Sequence, residues 1–371
     1  MTRCIRTLIA SALLTLGGLA QGADDPIKIA IVGPVTGPVA QYGEMQMIGA
    51  RMAVQQINAK GGVLDGRKLQ AIVMDDVCEP KQAVAVANKV VNDGIRYVVG
   101  HLCSGSTQPA SNIYDEEGVL MITPASTNPA ITEQGLTMVF RTIGKDSQQG
   151  PVAGNYIADT IKPERLAIIH DKQQYGQGIA EEVKNTVEAK DIDVVLFEGV
   201  SKGQTDFSAL ITKLKRANVD FVYYGGYHPE LGLILRQART QGFDAGFMGP
   251  EGVGNRDISA IAGPASEGLL VTLPADFSQD PANAELVEAF KENKQDPSGA
   301  FVMPSYTAVQ IIAQTMDKIG SDDPEEVAEA LRETTYETPI GRVAFDDKGD
   351  LEEFEFVVFT WHEDATKTPA E

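Results

Sequence analysis

Short, mainly apolar runs punctuate this chain, and segments of helical periodicity separate them. Ile27–Val32, Leu69–Met74, Tyr97–Val99 and Val119–Ile122 form a first series. Leu166–His170, Val194–Phe197, Phe221–Tyr224, Phe247–Met248 and Leu269–Val271 form a second, and Phe354–Phe359 comes late. Between them, Met45, Ile48, Met52, Ala53 and Ile57 share one face of a predicted helix that ends near Asn58. Ala83, Val86, Ala87, Val90 and Val91 do the same after Pro80. Further helices are predicted over Ser147–Thr160, up to Ala189, along Phe207–Leu214 and around Leu231–Ala238. Three more follow, about Asn283–Asn293, Tyr306–Lys318 and Pro324–Glu333. Continuous apolar strands alternating with amphipathic helices predict α/β architecture, with parallel, doubly wound sheets covered on both faces. Ligands of such sheets sit beyond the carboxyl ends of the strands, so the loops there carry the candidate chemistry.

Length and termini change this picture in two ways. A chain of 371 residues exceeds one ordinary core, so two domains are expected. Its first 23 residues read as a cleavable leader: basic Arg3 and Arg6, apolar Leu8–Leu16, then small Ala20, Gly22 and Ala23. That predicts export, to the periplasm in a Gram-negative cell. The formal net charge of −21 becomes more negative by two when Arg3 and Arg6 leave, which argues against nucleic acid and anionic membranes as partners. In an oxidising compartment the two cysteines left after the leader, Cys78 and Cys103, are expected to pair.

The candidate chemistry lies in loops after strands. After Tyr97–Val99 comes a run of small polar residues, Ser104, Gly105, Ser106 and Thr107, before Pro109, which is predicted to open the next helix. After Val119–Ile122 comes a second such loop, Thr123–Thr127. Hydroxyls and free amides at two neighbouring strand ends suit one small carboxylate. Glu251, in a Gly-rich loop after Phe247–Met248, suits an ammonium and is expected at the mouth of a cleft. Tyr42, Tyr175 and Tyr227 are expected in loops after strands, and Phe301 just before a helix. The four histidines show no metal-ligand spacing, and no nucleophile elbow is present. No metal or cofactor is expected.

The segments GPVAQYG, KQAVAVANKVVNDGI, GHLCS, STQPAS, LMITPA, HDKQQYG, DFVYYGGYHPE, FMGPEGV and KQDPSGAFV span nearly all of the chain beyond the leader. They resemble the periplasmic leucine/isoleucine/valine-binding proteins of branched-chain amino acid ABC transporters. The resemblance implies a type I periplasmic binding fold, two α/β lobes joined by three crossings. The lobes would comprise residues 24–143 with 276–353, and 144–275 with 354–371. It implies a non-enzymatic, monomeric protein that takes a branched-chain L-amino acid between lobes and delivers it to an inner-membrane permease. Ser104 and Thr127 then match the hydroxyls at the ligand carboxylate, with the backbone at Ala125. Glu251 and the Ala125 carbonyl match the ammonium partners. Tyr227 and Tyr175 match residues that meet the ligand on closure. Tyr42, Leu102, Phe301, Cys78 and Cys103 match the wall of the side-chain pocket. The chain departs from close relatives at Gly105 and Ser126, where they carry Ser and Ala, a difference that bears on affinity. The alternative reading is a binding or sensing protein of the same fold for another small amino acid or an amide; an exported hydrolase would need a nucleophile–base pair that the motifs lack.

Overall fold

The structure, a computed structural model, describes residues 25–370; the leader lies outside them. The chain begins with strand β1 (Ile27–Gly33), helix α1 (Ala40–Ala59), β2 (Leu69–Asp75) and α2 (Pro80–Asn92). Then come β3 (Tyr97–Gly100), α3 (Ser104–Glu116), β4 (Leu120–Thr123) and β5 (Val139–Arg141). These five strands make one parallel sheet in the order β2-β1-β3-β4-β5. The chain crosses into a second lobe with α4 (Asp146–Tyr156), β6 (Leu166–His170), α5 (Gln174–Glu188), β7 (Val194–Gly199) and α6 (Ser208–Arg216). It continues through β8 (Phe221–Gly225), α7 (His228–Thr240), β9 (Gly246–Gly249), α8 (Arg256–Ala262) and β10 (Leu269–Pro274). A second crossing leads to α9 (Ala284–Glu292), α10 (Val302–Ile319) and α11 (Pro324–Glu333), then to the hairpin β11 (Tyr336–Thr338) and β12 (Gly341–Val343). The third crossing delivers β13 (Phe356–Trp361) and β14 (Lys367–Pro369) to the second sheet, ordered β14-β13-β10-β9-β8-β6-β7.

Pattern and position agree for physical reasons. The strands β3 and β4 are buried on both faces, as an apolar run without alternation requires. Helix α2 starts at Pro80, whose missing N–H costs nothing in a first turn, and buries Ala83, Val86, Ala87 and Val90 on one stripe. Helix α10 is buried almost all round from Val302 to Met316 and packs on α1. Gly49 permits that approach, because a Cβ there would stand 2.0 Å from the Val302 carbonyl oxygen.

Three expectations are corrected. Pro109 does not open α3; the helix starts at Ser104, with Pro109 inside it. Pro109 is the sixth residue and lies in the second turn, so α3 forgoes the bond that an amide there would give to the Gly105 carbonyl. Tyr42 and Tyr175 stand in the first turns of α1 and α5 rather than in loops, while Tyr227 is the N-cap of α7. Glu251 begins a short 3₁₀ turn and is 2 % exposed, far from a solvated mouth. The short strands β5, β11, β12 and β14 and helix α8 carry too few periodic positions to read from the sequence.

Candidate functional site

The first lobe contributes two strand ends that meet side by side. Val99 of β3 pairs with Ile122 of β4, so the loops that follow them lie together. Hydroxyls stitch them: Thr123 Oγ1 donates to the His101 carbonyl at 2.7 Å, and Ser126 Oγ lies 2.9 Å from the Leu102 carbonyl and 2.5 Å from Thr107 Oγ1. The Ser104 hydroxyl accepts from the Asn128 amide at 3.4 Å. Beneath, His101 Nδ1 lies 2.6 Å from Asp76 Oδ2 and its Nε2 3.1 Å from the Tyr114 hydroxyl, all three residues being fully buried. Asp76 Oδ1 accepts the Cys78 amide. Cys78 and Cys103 are joined as a disulfide with Cα atoms 5.6 Å apart.

Arg141, at the end of β5, is a fully buried cation. Its guanidinium pairs with Asp350 at 2.6 Å and donates to the carbonyls of Ser126 and Asn128, on either side of Thr127. The loop conformation at Thr127 is therefore pinned from below, by charge-assisted bonds that keep their strength in a dry interior.

The second lobe supplies the opposite wall. Tyr175 accepts the Gly252 amide on its hydroxyl at 3.0 Å, which seats the Glu251 turn. Residue 252 must be glycine, because a Cβ there would lie 2.9 Å from that hydroxyl and 2.6 Å from the Gly226 carbonyl. Burial pushes the Glu251 carboxyl up to about 7, against neighbouring side chains, Tyr175 foremost, that favour its charge. A carboxylate in this state gains from any cation brought to it. Asp146, the first residue of α4, is a second buried acid close by. Burial raises it well above the usual range, and the charge of Glu251 adds to that.

The aromatic residues close the space between. Tyr42 meets Phe301 edge-on at 5.5 Å and Tyr227 at 6.4 Å, and Tyr175 stacks beside Tyr227 at 5.1 Å. Tyr42, Leu102, Ala125, Tyr175, Tyr227, Phe301, Cys78 and Cys103 belong to one buried cluster that spans both lobes. His228 stands edge-on behind Tyr42 and receives the Asn255 amide at 2.8 Å; burial pushes its imidazole down to about 4, so it is neutral. A hollow of about 210 Å³ runs between the disulfide and Gln174, Tyr175 and Tyr227. A larger one, about 780 Å³, opens between α1 and the 294–299 turn and touches neither Ser104 nor Glu251. Its mixed charges and distance from the buried acids separate it from this site.

The lobes touch across the cleft. Tyr42 donates to the Glu251 carbonyl at 3.4 Å, the Asn128 side chain to the Gln174 carbonyl at 3.1 Å, and Lys202 to Glu79 at 2.5 Å. All nine residues singled out for a ligand are thus brought into one buried region. Sequence reasoning missed Arg141, Asp146, Gln149, Asn255 and the His101–Asp76 pair. Arg141 ending an apolar Val-Phe run was the one available signal.

One covered sheet is parallel; the other is mixed, with β13 antiparallel to β10 and β14 antiparallel to β13 where only parallel strands were expected. These two sheets, with three crossings and a polar–aromatic cleft between them, define a type I periplasmic binding fold. A periplasmic binding protein family profile matches residues 26–364. The chain is 60% identical over 366 residues to a leucine-, isoleucine-, valine-, threonine- and alanine-binding protein of Pseudomonas aeruginosa, covering 99% of this chain and 98% of that one. It is 54% identical to a Leu/Ile/Val-binding protein of Escherichia coli K12, with 98% of each covered. Among solved structures, a leucine binding protein from Thermotoga maritima superposes with a TM-score of 0.86 at 28% identity, over 93% of this chain and 98% of that one. A branched-chain amino acid transporter substrate binding protein of Streptococcus pneumoniae, in complex with isoleucine, gives 0.84 at 26%, over 94% and 99%. The chain belongs to the periplasmic binding protein family, alongside its branched-chain amino acid-binding members, and is a binding protein rather than an enzyme.

Proposed function

We propose that this protein captures branched-chain L-amino acids in the interlobe cleft of the periplasm and hands them, as a monomer, to an inner-membrane ABC permease. The observation that carries the reading is Glu251, a buried acid facing hydroxyl-lined strand ends across an apolar, aromatic wall. A zwitterion brings one anion and one cation a bond or two apart, and these two loops answer both. Ser104 and Thr127 with the backbone at Ala125 would take the carboxylate. Glu251 and the Ala125 carbonyl would take the ammonium, and Tyr42, Leu102, Phe301 and the Cys78–Cys103 bridge would enclose the side chain. Tyr175 and Tyr227 meet it from the second lobe. The working division is residues 24–143 with 276–353 against 144–275 with 354–371. Charge-assisted bonds contribute roughly 1.5–3 kcal/mol each, and a buried leucine side chain about 2–3 kcal/mol. Together they offset the cost of association and closure, for an affinity on the order of micromolar or better.

The relatives' names support this substrate class, and the wall explains it: a charged side chain would lose its hydration against Tyr42, Leu102 and Phe301 without a partner. Calorimetry with a panel of amino acids tests it. Leucine, isoleucine and valine should bind, while glutamate and lysine bind at least about a hundredfold more weakly. Equal affinity for glutamate would overturn the wall assignment.

A further inference from the structure

The buried histidine beneath the strand ends has no part in that account. His101 and Asp76 are fully buried, each just past the end of its strand, β3 and β2. Asp76 accepts at both oxygens, the Cys78 amide on Oδ1 at 2.9 Å and His101 Nδ1 on Oδ2 at 2.6 Å. With the proton on Nδ1, Nε2 accepts from the Tyr114 hydroxyl at 3.1 Å, and every side-chain polar atom of the trio has a partner. The Asp76–His101 bond joins the same two loops as the Cys78–Cys103 bridge, two residues before it on either side.

Both loops lean on this contact. The turn after β2 holds Val77 at φ 47° and Cys78 at φ 56°, a left-handed conformation that β-branched Val in particular resists. The carboxylates of Asp75 and Asp76 hold it by accepting the amides of Val77 and Cys78. On the other side the His101 carbonyl accepts the Thr123 hydroxyl at 2.7 Å, with Ser126 Oγ 3.2 Å away. Thr123 Oγ1 in turn accepts the Ser126 amide at 3.0 Å. Fixing residue 101 therefore fixes Leu102 to Ser104 on its own loop and the hydroxyl loop after β4 beside it. The disulfide ties Cys103 at one point only, and to a turn that is itself strained.

We propose that His101 is a positioning residue for the ligand site, and that its bond to Asp76 is a second strut beside the disulfide. Together the two links hold Leu102 and Ser104 in place before a ligand arrives. The inference rests on the reading that Ser104 takes the ligand carboxylate. Links in parallel between the same loops substitute for each other, so opening either one leaves most of the preorganisation that lowers the ordering cost of binding. Opening both frees the loops. The coupling also runs in reverse: a strut that keeps residues 76 and 101 together keeps the two cysteines together, and so favours the bridge over free thiols.

The test is calorimetric titration with leucine in His101→Gln and His101→Asn, each with the bridge and in the Cys78→Ala/Cys103→Ala background. The amide nitrogen of Asn falls where Nδ1 stands and keeps the donor to Asp76, whereas that of Gln falls nearer Nε2 and loses it. With the bridge present, His101→Gln should weaken leucine less than about fivefold, and so should loss of the bridge alone. Together they should weaken it about a hundredfold or more, beyond the product of the two. His101→Asn in the bridge-free background should stay within about threefold of its bridge-free parent. A simple product of the two effects, or no difference between Asn and Gln, would overturn the proposal. Should the bridge-free Gln variant not fold, the thiol–disulfide equilibrium carries the comparison. In a dithiothreitol redox buffer His101→Gln should shift it toward free thiols about tenfold, and His101→Asn less than about threefold. No shift with Gln, or an equal shift with Asn, would overturn the proposal as well. Ser104→Ala in parallel separates the two readings. If it leaves leucine binding intact, the carboxylate lies elsewhere and both fail. If it weakens leucine while the other effects simply multiply, only the role of His101 fails.

Discussion

The Tyr42 hydroxyl, carried on α1 of the first lobe, lies 3.4 Å from the backbone carbonyl of Glu251 in the second. The residue that walls the side-chain pocket is thus also a tie between lobes, beside the acid at the other end of the site. Tyr42→Phe keeps the wall and loses the tie, so leucine should bind about two- to tenfold more weakly, the worth of one net hydrogen bond. Tyr42→Trp should do the opposite to selectivity, crowding β-branched isoleucine and valine more than leucine. Titrations of the three amino acids against both variants decide this; unchanged ratios with Trp would remove Tyr42 from the wall.

Glu251→Gln removes a buried charge but keeps size and an acceptor. Leucine affinity should drop by roughly 2–4 kcal/mol, or about thirty- to a thousandfold, because the ammonium is left buried and unpaired. The ligand-free protein should gain stability, since the desolvated charge is gone. Affinity within about threefold of the parent would place the ammonium elsewhere.

The same residue sets a pH dependence. With its folded value raised to about 7, Glu251 holds a proton that the unfolded chain has already released. Its contribution to stability is full below the ordinary value of about 4.3 and is lost as pH rises through about 7. Asp171, raised by burial to about 6, acts in the same direction. Above about pH 6.5, where His228, held neutral by burial, no longer adds an opposing rise, the ligand-free melting temperature should therefore fall toward about pH 8, and Glu251→Gln should flatten the fall. A rising melting temperature over that range would contradict the burial of these acids.

The Cys78–Cys103 bridge closes a sequence separation of 25 residues, worth roughly 3.5 kcal/mol in the chain-entropy model. The Cys78→Ala/Cys103→Ala pair should lose about 2–4 kcal/mol in denaturant titration. Leucine affinity should fall with it, since Cys103 precedes Ser104 and caps α3. Two free thiols in native, unreduced protein by mass spectrometry would contradict the bridge.

Lys202, after β7, reaches Glu79 and the Cys78 carbonyl in the other lobe. Both side chains are about a third or more exposed, so the link should be worth no more than about 1 kcal/mol. Lys202→Met should weaken leucine less than about fivefold at low salt and not measurably near 1 M salt, where screening is nearly complete. A salt-independent loss would mean that Lys202 acts through packing instead.

How much of this was legible beforehand depended on the kind of force involved. Long apolar strands and striped helices were plain, because burial writes itself into residue type along the whole of a doubly covered strand and at every third to fourth position of a helix. The hydroxyl loops and Glu251 were readable from their place after strands. The first turns of α1 and α5 were not: Tyr42 and Tyr175 follow Gly, Pro and Gln residues that read as loop, and tertiary packing rather than propensity extends the helices back to them. Buried charge was the least legible. Arg141, Asp146 and Asp76 are ordinary surface residue types, and only partners distant in sequence, such as Asp350 for Arg141, make their burial tolerable.

The path of the chain has a temporal consequence. The second sheet draws β13 and β14 from residues 356–369, after the chain has gone back to build α10 and α11 on the first. Neither lobe is a contiguous piece of sequence. A nascent chain emerging N-terminus first holds no finished lobe until α11 and the β11–β12 hairpin are out, and the second lobe waits almost to the end of synthesis.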